Sequence, residues 1–143
     1  MKKFFVIPFI LSAALATVGV RANMQEGHSE HHEHKTVIIS EDQPVPTISI
    51  VVHPDAVRGW NLELVVTNFA FAPEMINQEN ELNKGHAHLY INGEKITRIY
   101  GNWYYLPELP VGENEIKITL NTNQHEDLIY QEQIIEDVVL ITN

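Results

Sequence analysis

Eight histidines and no cysteine set the chemistry open to this 143-residue chain. Two of the histidines, His86 and His88, stand two residues apart in GHAHLY, just before Asn92-Gly93. On a β-strand, residues i and i+2 point to the same side. Both imidazoles then project together, and imidazole nitrogen suits copper and zinc. Two ligands seldom hold a metal selectively, so a third donor must come from elsewhere. His125 is the best placed, in a loop just after an apolar strand, and His53 is second. Trp103 and Met75 matter for Cu(I) alone, where an aromatic face or a thioether completes a poor shell. Otherwise a lone Met is core filler. A second group, His28, His31, His32 and His34, alternates with Glu26, Glu30 and Glu33. Such a tract captures divalent metals weakly, because a floppy segment must lose entropy to wrap an ion. The plain alternatives are a solvated leader for the tract and half-exposed, neighbour-bonded strand residues for the pair.

Other chemistry finds little support. Without cysteine there is no disulfide, thiolate site, cysteine nucleophile or His/Cys copper site of the blue kind. Gly-rich phosphate loops, a nucleophile elbow and HExxH are all absent, and the chain reads as non-enzymatic. The formal charge is −10, from 9 basic and 19 acidic residues. That balance disfavours nucleic acid and anionic membrane as partners and favours cations or basic proteins.

The elements that would position the histidines are strands. Asn92-Gly93 supplies the two positive-φ residues of a type I′ hairpin turn. Counting outward, Ile91 opposes Glu94, Tyr90 opposes Lys95, Leu89 opposes Ile96 and His88 opposes Thr97. Ala87, Leu89, Ile91 and Ile96 then form a core face, and His86, His88, Tyr90 and Thr97 the other. Aromatic-rich turns at Gly101-Asn102 and Trp103-Tyr104-Tyr105 close the segment. Alternation places further strands over 36–40, 47–53, 60–68, 115–120, 128–135 and 138–142, with a loop or one helical turn near 76–82. Seven to nine short strands separated by turn signals are the pattern of an all-β sandwich.

The leader is of another kind. Lys2 and Lys3 precede an apolar run to Val20, and Val20-Arg21-Ala22 fits a cleavage site, so 1–22 reads as a signal peptide. Cleavage there leaves six basic residues against 19 acidic ones, a net charge of −13. Residues 23–35, NMQEGHSEHHEHK, have almost no apolar side chain and read as a disordered His-rich tail. The folded domain is 36–143, in a periplasmic or secreted protein with no membrane contact after cleavage.

The stretch GHAHLYINGEKITRIYGNWYYLP resembles a motif of small exported bacterial proteins that carry GHAHLY(V/I)-x-G, then YG-x-W-Y and a late NTN-x-H. Here the last is Asn121-Thr122-Asn123-Gln124-His125. LELVVTNFAFAPE, over 62–74, resembles the opening strands of cupredoxin-like domains. The resemblance implies a two-sheet antiparallel sandwich, cupredoxin-like or immunoglobulin-like, with a link to copper. It favours His86, His88 and His125 as ligands with Trp103 nearby. Where WYH is expected, this chain has Trp103-Tyr104-Tyr105, so one ligand of that pattern is missing. The reading is a copper-binding protein for sequestration or delivery, zinc being the lesser choice, with a periplasmic protein as its partner. The alternative is an interaction domain whose surface is Trp103, Tyr104 and Tyr105 beside Tyr90 and Tyr100. Convergent ring nitrogens favour the first; scattered ones favour the second.

Overall fold

Alternating apolar side chains produce strands almost throughout the computed structural model, which describes residues 35–143. The expected signal peptide and nearly all of the expected tail lie outside the described residues. The strands are β1 (Thr36–Ile38), β2 (Thr47–Pro54), β3 (Trp60–Thr67), β4 (Ala70–Phe71), β5 (Lys84–Ile91), β6 (Glu94–Ile99), β7 (Trp103–Leu106), β8 (Glu113–Thr122), β9 (Asp127–Tyr130), β10 (Gln133–Ile134) and β11 (Glu136–Thr142). A 3₁₀ turn at Pro73–Met75 is the single helical piece among the described residues.

Two sheets result. The smaller has the order β2-β3-β7, antiparallel throughout. The larger is centred on β5 and β8, which pair from Gly85↔Thr122 to Ile91↔Ile116. β6 and the short β4 share the other edge of β5, while β11 and β9 share the other edge of β8. Ile48, Ile50, Leu62 and Leu64 of the smaller sheet join Ala87, Leu89, Ile116, Ile118 and Leu120 of the larger in one buried core. Burial of this apolar surface is what holds the sheets together.

The all-β, two-sheet expectation holds, with differences in detail. Eleven strands stand where seven to nine were expected, and the unexpected ones, β4, β7 and β10, are pieces of two to four residues. Two edge pairings, β1 with β9 and β4 with β5, are parallel. The aromatic run expected as a turn is β7, because Trp103 and Tyr105 alternate with Tyr104 and Leu106 against β3. The single strand expected over 128–135 breaks at Gln131 and Glu132, whose φ angles of 48° and 66° make a two-residue hairpin turn.

The central hairpin follows the expected register only at its tip. Asn92 and Gly93 have φ of 51° and 82°, as a type I′ turn requires. Ile91↔Glu94 and Tyr90↔Lys95 are the expected pairs. A bulge then shifts the ladder to Leu89↔Thr97, His88↔Arg98 and Ala87↔Ile99. One inserted residue sends every later side chain of β6 to the opposite face. Ile96, expected in the core, is 46% exposed, and Ile99 fills its place at 3%. Thr97 leaves the histidine face and Arg98 takes its position opposite His88.

Candidate metal centre

β5 is buried on both faces. Ala87 and Leu89 enter the apolar core, while His86 and His88, 0% and 2% exposed, lie on the far side. The register with β8 sets their floor: His86 pairs with Asn121 and His88 with Thr119. These floor residues are bonded to one another. Thr119 Oγ1 donates to Asn121 Oδ1 at 2.8 Å, and Asn121 Nδ2 donates to Asp127 Oδ1 at 2.6 Å. Gly85 brings the two strands close here, since a Cβ on it would stand 2.0 Å from the Asn121 carbonyl oxygen. Only glycine opens GHAHLY without pushing β5 off β8.

His125 comes from the β8–β9 loop. Its N–H donates to the Thr122 carbonyl, and the Thr122 N–H donates to that of Glu126. This is a three-residue loop whose last position is left-handed, and His125 occupies it with φ of 70°. Such a conformation is uncommon for a residue with a side chain and usually falls to glycine. The turn swings the ring back over β5.

The three rings converge. His86 Nε2 lies 2.9 Å from His88 Nε2 and 3.1 Å from His125 Nδ1, and the three ligand atoms all fall within 4.8 Å of one another. A cation with metal–nitrogen bonds of about 2.0 Å needs donors roughly 3 to 3.5 Å apart, so the two His86 separations fit, and a small ring rotation must draw His88 and His125 together for all three to bind. His125 Nε2 lies 3.1 Å from Asn77 Oδ1. That oxygen accepts the ring's proton and leaves Nδ1 as a lone pair aimed inward. Lys95 Nζ, 3.3 Å from His88 Nε2, donates to a second inward lone pair. One His86 proton would then be shared between two acceptors, the place a metal ion would take. Nδ1 of His86 and of His88 is buried without a hydrogen-bond partner.

Burial sets the charge state. It is the largest cause holding His86 and His88 down at about 3, with the neighbouring His125, Lys95 and Arg98 adding to it. His125 is lowered too, first by burial and then by Arg98 and Lys95. All three are neutral at pH 7, the form in which imidazole coordinates.

Of the expected ligands, His86, His88 and His125 meet, and this cluster can hold a metal. Trp103, expected nearby, lies instead on the smaller sheet. Its pairing with Glu63 carries it to the outer face, 58% exposed, where its ring stands 5.3 Å from that of His53. His53, the second-choice donor, is engaged by Glu63 Oε2 at 2.8 Å. His28, His31, His32 and His34 lie outside the described residues. Asn77, Lys95, Arg98 and Gly85 escape sequence reasoning. A bulge or a close strand approach leaves no mark in residue spacing, and an exposed asparagine in a polar loop looks like any other. No protein-family model matches the chain, and no curated protein or solved structure matches it either.

Proposed function

We propose that the protein is an exported binder of a divalent transition metal, copper first and zinc second, serving sequestration or delivery. The observation that carries this is the convergence of three neutral imidazole nitrogens from two distant parts of the chain, two of the rings fully enclosed. An all-nitrogen set follows the usual affinity order, in which copper exceeds zinc. Three protein donors leave a position of a four-coordinate ion open, as exchange with a partner or small ligand requires. The rival reading, a recognition surface built from five aromatic residues, loses ground because the fold separates them. Trp103 and Tyr105 face outward from the smaller sheet, while Tyr90 and Tyr100 flank the histidines at ring distances of 6.5 Å from His88 and 5.4 Å from His86. The test is calorimetric titration with Cu(II) and Zn(II). The intact chain should take about one ion tightly, and the His86→Ala/His88→Ala chain should lose at least about a hundredfold in affinity. Unchanged tight binding in the double variant would refute the reading.

A further inference from the structure

We propose that the metal-loaded triad takes a small oxyanion as its fourth ligand, held between the ion, Lys95 and Arg98. This rests on the metal reading above. Three neutral imidazoles bring no negative charge to the ion. Among the described residues, the cluster that can hold it contains no carboxylate. Two cations border it. Lys95 Nζ stands 3.3 Å from a ligating nitrogen, and Arg98 faces His88 across the β5–β6 ladder. The Arg98 guanidinium donates to the Tyr100 hydroxyl at 3.5 Å, and the Tyr100 ring lies against His86. Both cations act electrostatically on all three imidazoles. Asp127, a buried carboxylate on this face, accepts from Asn121 Nδ2 at 2.6 Å and acts electrostatically on Lys95.

A dication held by enclosed imidazoles beside two exposed cations is disfavoured by their repulsion, and an anion that joins it relieves this. An oxyanion answers each need at once. One oxygen fills the open coordination position, a second accepts from the Lys95 ammonium, and the Arg98 fork matches its planar or tetrahedral edge. Carboxylate, carbonate and phosphate share this chemistry. The bulge in β6 is what makes the arrangement. Without it Thr97, not Arg98, would stand opposite His88. Lys95 is mobile enough to leave the His88 lone pair and turn to the anion, since its side chain is a flexible stem at a strand edge.

Cobalt(II) is the probe, bound to the full chain with His28, His31, His32 and His34 replaced by alanine so that only the triad takes it up. Its visible spectrum is followed while inorganic phosphate, then acetate, is added at constant ionic strength. The spectrum should shift saturably. Lys95→Gln should weaken that anion binding about tenfold while tightening cobalt itself in anion-free buffer, and Lys95→Arg should restore the anion step. A purely structural lysine would not move the two affinities in opposite directions. Cobalt bound through His86 and His88 with a spectrum indifferent to both anions, or two affinities untouched by Lys95→Gln, overturns the oxyanion site and leaves the metal reading standing. Cobalt binding that ignores His86→Ala/His88→Ala overturns both.

Discussion

His53 and His86 sit on opposite sheets of one sandwich, and their surroundings differ in kind. His53 is half-exposed on the smaller sheet, with Glu63 Oε2 2.8 Å from its Nε2 and Trp103 against its ring. A carboxylate takes one ring nitrogen, and a flat apolar neighbour stands against the ring. His86 is fully enclosed, and its inward nitrogen meets only other imidazoles. Buried polar groups ordinarily find partners that end the matter. Three imidazole nitrogens that face one another, with Lys95 as the outside donor, are left with more lone pairs than ring protons. The contrast teaches that residue type and strand position do not make a metal site; the nature of the neighbours does.

The comparison breaks most sharply on metal affinity. Replacing His53 by alanine should leave copper binding within about twofold, while replacing His86 costs at least about a hundredfold. Titration of the two single variants side by side checks this. Equal losses would place the ligands wrongly.

Acid stability sharpens it next. His86 and His88 sit at about 3 in the fold and near 6.5 when unfolded, so the unfolded chain takes up protons first. Their contribution is whole above roughly pH 6.5 and declines as the pH falls towards 3, by about 1.4 kcal/mol per pH unit for each ring. Urea melts of the metal-free protein between pH 7 and 4 should show several kcal/mol lost, on the order of the coupled pair. Replacing both rings by glutamine should flatten that slope. A slope unchanged in that variant would mean the two rings are not neutral and enclosed.

Asn77 tests how His125 is presented. Asn77→Ala removes the acceptor that fixes the inward Nδ1 lone pair, and metal affinity should fall about tenfold with stability within ~1 kcal/mol. His125→Gly should have the smallest effect on the fold. It relieves a left-handed residue, so the metal-free protein should melt no lower and up to about 1 kcal/mol more stably, while metal affinity still falls. A marked loss of stability would show that His125 is there for packing.

Much of this arrangement is legible from residue order. Asn92-Gly93 announces its own turn, Ala87 and Leu89 announce a core face, and the i, i+2 spacing puts His86 and His88 together. Ile96 misleads because an apolar residue in an alternating run looks like core, and only the bulge throws it outward. Gln131-Glu132 makes a tight turn without the glycine or asparagine that usually signals one. Trp103 misleads because a four-residue aromatic strand has too little length to show its period. The parallel pairing of β1 with β9 joins segments some ninety residues apart, which no local pattern encodes. His125 could be named from its loop, but Asn77 and Lys95 act through contacts that only the fold creates.

The most direct test of the central claim uses the full chain with the four tail histidines, His28, His31, His32 and His34, changed to alanine. Loaded with one equivalent of Cu(II), it should give a pulsed electron paramagnetic resonance spectrum with three imidazole nitrogens coupled to the copper. One coupling should disappear on His125→Gly, and the tight site itself should disappear on His86→Ala/His88→Ala. Copper that fails to bind, or binds with couplings indifferent to all three substitutions, would contradict the account.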